Sequence, residues 1–237
     1  MEKNKSFYRP FLLIIFVFII MFKIIVDIMP SDYIYIINAI FLMGMIILLY
    51  FKGGFPRDRS YYKKSSIKIV LIIMLFYIFI IYLLGLFVGF IKNLYFYDIF
   101  MLLKNVIPIA FFIITSEIFR YLFLRHNPGK ANIAIFTLEL IILNIIIGIS
   151  SYNIVSIKQL FIIVSMVIIP IIASEVMCTY VVHNVSLIPV ILYKLIYNLL
   201  FYIVPFSPDL SEYFISVFGV GIPYIIYIEI QNLLDIY

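Results

Sequence analysis

The sequence predicts an all-α, polytopic bundle of transmembrane helices with about eight spans, and three observations carry that expectation. Hydrophobic residues make up 66% of the 237 and charged residues only 12%, with a mean hydropathy of +1.21. That is too little polar surface to clothe a soluble globule of this length. The apolar residues fall in runs close to the roughly 20 that cross a hydrocarbon core of about 30 Å. These runs are too long for strands and lack the two-residue alternation of a membrane barrel.

Counting by length places the spans at about 11–29, 33–51, 67–91, 105–125, 131–149, 158–182, 185–205 and 212–234. The first begins in MEKNKSFYRPFLLIIFVFIIMF, whose basic head resembles a leader. No small-residue cleavage site follows before KIIVDIMPSDY, so it reads as a retained span. Spans one and two carry no central ionisable group apart from Lys23 and Asp27 near one end, which makes them peripheral. The loop KGGFPRDRSYYKKSSIK, with Gly53, Gly54 and Pro56 to break helix, then separates them from the rest. It reads as a solvated topology anchor, and it is the segment long enough to dock a soluble partner. The chain is accordingly one integral membrane domain over 1–237: two spans and a basic loop over 1–66, and a six-span core over 67–237.

KNLYFYDIF, after span three, reads as a short amphipathic piece on the outer face. HNPGK at 126–130 turns span four into span five. Span seven is interrupted by Lys194 and Asn198. In VPFSPDLSEYF, Pro205 and Pro208 stiffen a short outer loop and Ser211 caps the last helix. Tyr and Phe at span ends, such as Tyr95 and Tyr202, form interfacial belts in a chain without Trp.

The net charge of +5 sits in short stretches between apolar runs, where it sets topology and argues against a nucleic-acid partner. Twelve Lys and Arg fall on one side and at most four on the other, which places both termini of this multi-pass protein in the cytoplasm. The lone cysteine, Cys178, has no partner for an internal disulfide. The heavy use of Ile, Phe, Tyr, Lys and Asn points to a low-GC genome.

Two stretches stand out. IPIAFFIITSEIFRYLFLRHN and, 58 residues later, IIPIIASEVMCTYVVHN each bury a Ser-Glu pair, add a Tyr and close on His-Asn. The alignment raises a parallel two-helix repeat of spans 4–5 and 6–7, against the alternative of coincidence in a biased sequence. Glu117, Glu139, Glu175 and Lys194 all lie about 12 Å from the cytoplasmic edge at 1.5 Å per residue. A lone charge in hydrocarbon costs about 2.5 to 3.5 kcal/mol or more, so these groups are expected to converge. Arg120, one turn from Glu117, can pair with it locally, Lys194 is the counter-ion for Glu175 or Glu139, and Asn198 joins the same buried polar cluster. Three readings stay open: a polar clamp between helices, a metal or general-base site, and a proton or ion relay of the transporter kind. His126 and His183 fall about two turns nearer the cytoplasm, which is poor geometry for a Glu-His site. Pro108 and Pro170 before the two glutamates keep the transporter reading in play. No cofactor or metal motif is present.

SEIFRYLF resembles the first motif of the CAAX-processing membrane proteases, in which two adjacent glutamates precede an Arg and a Gly. Here Ser116 replaces the first Glu, Arg120 comes one residue early and no Gly follows. In the last motif Lys194-Leu195-Ile196-Tyr197-Asn198 stands where a His should lead. A longer likeness covers residues 67–230, above all YKLIYNLLFYIVPFSPDL with Tyr193, Pro205, Pro208 and Asp209. It is similar to the multispanning region that precedes the catalytic part of signal-peptidase-like proteins of low-GC bacteria. That resemblance implies a non-catalytic membrane domain near protein export or precursor processing, with an export-machinery partner. A signal peptidase needs a Ser-Lys catalytic domain, and Met29-Pro30-Ser31 only mimics its motif in the wrong order.

Overall fold

A computed structural model describes residues 13–19, 21–22, 33–53, 63–127, 129–149, 157–210 and 212–235. Nine helices are numbered here among them: α1 Ile34–Gly53, α2 Lys64–Val88, α3 Leu94–Tyr97, α4 Ile99–His126, α5 Lys130–Ile149, α6 Ile157–Ile163, α7 Ile169–Asn184, α8 Ile188–Ile203 and α9 Glu212–Asp235. A π-helical turn, Val164–Ile168, joins α6 to α7. Among the described residues six helical stretches are long and apolar enough to cross a membrane, α6 and α7 counting as one. The protein is an all-α, multi-pass membrane bundle. α8, with 16 residues, is shorter than a span. Of the expected first span, 13–19 and 21–22 are helical, while Lys23, Asp27 and most of the basic loop lie outside the described residues.

The helices bury stripes that mix apolar with small and polar residues, and expose large apolar side chains outward. On α2 the buried positions are Ser66, Val70, Met74, Tyr77, Ile81 and Gly85, spaced three or four apart along one stripe. Ile72, Leu75, Phe76, Phe79, Leu83 and Phe87 are exposed. With lipid as solvent, burying such side chains has little drive, and close packing and polar contacts decide which face turns inward. α4 is the central helix: from Phe112 to Leu124 nearly every side chain is buried. α1 packs along α4, with Tyr35 against Phe112 at 5.8 Å between ring centres, so span two is part of the core rather than peripheral.

Two short strands punctuate the helices. β1 Phe90–Lys92 and β2 Phe206–Pro208 pair antiparallel, with Ile91 opposite Ser207. Span three therefore ends at Val88, three residues short of the expected boundary, because Gly89 takes a φ of 98° that side chains disfavour. Gly85 is also required: a Cβ there would stand 2.6 Å from the Phe90 ring. Asn93 then locks the ribbon to α8. Its Nδ2 donates to the carbonyls of Phe201 (2.7 Å), Tyr202 (3.1 Å) and Val204 (2.6 Å), while its Oδ1 accepts from Tyr95 N–H. One side chain thus satisfies helix-end carbonyls that have no intrahelical partner. Asp98 caps α4 by accepting from the N–H groups of Phe100 and Met101.

The π turn leaves a carbonyl to be satisfied from outside the helix. Ile169 N–H bonds back to the Val164 carbonyl, so the next donor in that register would be residue 170. Pro170 has no N–H, which orphans the Ser165 carbonyl. Ser216 on α9 supplies the missing donor at 2.6 Å, tying α9 to the interrupted helix.

Replacing Asn93 by Ala is expected to cost about 1 to 3 kcal/mol through the unsatisfied carbonyls. A lowered thermal unfolding midpoint in detergent checks this, and an unchanged midpoint would show that the cap carries no stability.

Candidate functional site

The site is built from three helices. Glu117 and Arg120 lie one turn apart on α4, Glu175 lies on α7, and Lys194 on α8. Both glutamates and Arg120 are almost fully buried, and Lys194 is 8% exposed. Arg120 grips Glu117 through Nε to Oε2 at 2.8 Å and Nη2 to Oε1 at 3.2 Å. The same Nη2 reaches Glu175 Oε2, and Nη1 donates to the Glu175 carbonyl (3.2 Å) and to Thr179 Oγ1 (2.6 Å). Lys194 Nζ closes the figure, standing 2.7 Å from Glu117 Oε1 and 2.5 Å from Glu175 Oε1. Each cation therefore touches both carboxylates, and each carboxylate touches both cations. The result is a neutral ring of four charges, the arrangement that makes buried charges tolerable.

Arginine suits this place because its planar fork of donors can serve two carboxylates, a carbonyl and a hydroxyl together. From Thr179 the network runs on to Thr137 of α5 at 3.2 Å. Thr137 and Thr179 were not among the sequence candidates. Only the i,i+4 spacing of Thr179 from Glu175 could have signalled that it shares a face with the ring.

The remaining candidates lie elsewhere. Glu139 is buried on α5, but neither Arg120 nor Lys194 comes within ion-pair distance of it, and among the described residues its Oε2 has no hydrogen-bond partner. Depth alone placed it with the ring; α5 presents Thr137 there instead. Asn198 lies one turn beyond Lys194 and donates its Nδ2 to the Lys194 carbonyl at 2.8 Å. It flanks the ring without joining it. His126 and His183 sit in the last turns of α4 and α7, with His183 lining a separate shallow groove between α5 and α7. Among the described residues no three His, Cys, Asp or Glu side chains are grouped to hold a metal ion.

A cavity of about 500 Å³ lies against one face of the ring, on the side of the β-ribbon. Glu175 and Lys194 form its floor, while Glu117 and Arg120 are sealed behind them. Its walls carry Tyr35, Tyr193, Tyr197 and Tyr202, the amides of Asn144 and Asn198, and Ser116 and Ser174, among apolar side chains of α4 and α5. Met166 and Val167 of the π turn and Pro170 at the start of α7 complete it. The walls close tightly at two glycines: a Cβ on Gly148 would meet Val167 Cγ1 at 2.7 Å, and one on Gly219 would meet Pro170 Cβ at 2.8 Å.

α4 and α7 contribute Glu117 and Glu175, the two glutamates that the repeat alignment pairs. The symmetry ends there, since Cys178 stands where the first copy has Arg120, and Glu139 lies outside the ring where Lys194 is inside. Comparison with protein families, curated proteins and solved structures gives no match for this chain.

Losing one member of the ring strands a charge, so Arg120→Met is expected to cost about 3 to 5 kcal/mol. Arg120→Lys should rescue it only in part, because an ammonium lacks the fork. The pair Glu117→Gln with Lys194→Met keeps the ring neutral and should cost less than the sum of its single variants, with a coupling of about 0.5 to 3 kcal/mol. Unfolding in detergent measures all of these. Strict additivity would show that the four charges do not act as one unit.

Proposed function

We propose that this integral membrane protein is a solute-binding protein of the carrier kind, with the cavity as its binding site and the charge ring as the polar floor. The observation that carries the reading is the juxtaposition of the two. A cavity lined mostly by apolar and aromatic groups, with a few convergent polar ones, is the usual form of a small-molecule site. A ring that served only to clamp helices would need no void beside it. Ionisable groups facing an internal cavity in a membrane domain mark a solute or ion path. The wall formed by an interrupted helix has the broken character found at carrier sites.

By the distribution of Lys and Arg, the helix ends carrying His126 and His183 face the cytoplasm. In this reading the cavity lies on the outer side of the ring and opens away from the cytoplasm. The composition typical of a low-GC genome makes the cell membrane of a bacterium or archaeon the setting of this proposal. The accessory role in export or precursor processing, and a CAAX-type proteolytic activity, rest on the sequence likenesses. The cavity ranks solute binding above both. Proteolysis in particular asks for a carboxylate poised to take a proton from water, and each carboxylate of the ring is shared between two cations.

Thiol chemistry tests the site directly, because the single native cysteine, Cys178, is buried. An Asn198→Cys variant in sealed vesicles is expected to react with a membrane-impermeant maleimide added from the outer side, on a background of Cys178 that stays unlabelled. Absence of labelling from both sides would mean that the cavity is closed to water, and the carrier reading would fail.

A further inference from the structure

We infer that the cavity takes a small zwitterion carrying a primary ammonium and an anionic group a few bonds apart on an apolar body, the chemistry of a large apolar amino acid. This deepens the solute-binding reading and rests on it.

The inference comes from counting what the floor leaves unused. An ammonium has three N–H donors. Lys194 directs itself to Glu117 and Glu175, and among the described residues no third acceptor meets it. One donor is therefore left for the cavity. A carboxylate has about four acceptor positions on its two oxygens. On Glu175, Oε1 faces Lys194 and Oε2 faces Arg120, so acceptor capacity remains on a carboxylate that lines the cavity. The floor thus offers one spare cationic donor beside spare anionic acceptors, the complement of an anion and an N–H cation held together in one molecule.

Net charge makes the same selection. The ring is neutral, and among the described residues the cavity walls carry no further ionised side chain. A solute with a single net charge would be stripped of water with no opposite charge waiting for it, which is costly in a low-dielectric site. A zwitterion brings its own balance. Asn144 and Asn198 each commit Nδ2 to the carbonyl one turn back, leaving amide oxygens as additional acceptors for the ammonium. Above the floor, Tyr35, Tyr197 and Tyr202 with Ile109 and Phe112 suit a bulky apolar body.

A zwitterion with an ammonium N–H can reach this site as a free solute or as the headgroup of phosphatidylethanolamine, so the test separates the two. Full-length protein is reconstituted in phosphatidylcholine vesicles, whose headgroup has no ammonium N–H, and equilibrium binding of labelled L-phenylalanine is compared with that of phenethylamine and 3-phenylpropionate. L-Phenylalanine is expected to bind about ten-fold or more tightly than either, since each analogue leaves one buried group unpaired. Asn198→Asp, which lies outside the ring and makes the cavity anionic, should shift preference toward phenethylamine. Loss of L-phenylalanine binding on adding phosphatidylethanolamine supports the same chemistry with the headgroup as its source. Equal binding of either analogue overturns the zwitterion assignment. So does binding of none of the three where Asn198→Cys is labelled, an outcome that leaves the cavity reading intact. An unlabelled Asn198→Cys removes the cavity reading itself.

Discussion

Everything in the core of this protein depends on two carboxylates and two cations that must not meet hydrocarbon alone. Any one of them exposed to lipid would cost several kcal/mol, and together they cancel. That constraint fixes the relative height and rotation of α4, α7 and α8, since Arg120 and Lys194 must each reach both glutamates at once. The apolar contacts around the ring are permissive by comparison. Lipid tails solvate Ile and Phe about as well as a neighbouring helix does, so shape and polarity define the register.

At the other end the β-ribbon and Asn93 perform a complementary task. Short connections in a membrane protein bring helix-end carbonyls close to the hydrocarbon boundary, where each needs a partner. Asn93 gathers three of them from the end of α8, and the ribbon binds the segment after α2 to the segment after α8. The cavity lies between these two polar layers. Its walls include the helix interruption just before Pro170, where Ser216 supplies a donor. The bundle is thus tied at the charge ring and again at the ribbon, with its least regular backbone beside the space in between.

Span positions were legible in the sequence because helix length in a bilayer is set by thickness, and apolar run length reports it. The helix ends at Gly89 and at α8 were less so, because a strand of three residues carries almost no pattern of its own. In the site, the depth of Glu117, Glu175 and Lys194 followed from counting residues, and Arg120 followed from its spacing to Glu117. What counting could not give was azimuth. Glu139 has the right depth on a helix that presents Thr137 to the network instead, and no single-sequence pattern fixes the rotation of a helix that is apolar nearly all round. The cavity was equally hidden, since a void arises from how several helices meet.

The pairing of Glu117 with Arg120 within one turn bears on how the chain is made as well as on how it rests. Helices leave the ribosome in order, and α4 is synthesised before the helices that complete the ring. Because its acid and base neutralise each other locally, α4 can partition into lipid as an electrically balanced segment before any partner exists. Glu175 has no cation on its own helix one turn away; the cation that follows it into the ring is Lys194, 19 residues later on α8. α7 and α8 therefore have reason to enter the bilayer together as a hairpin, docking on an α4 already in place. The ring records that order of assembly: one half is self-sufficient, and the other half is complete only as a pair.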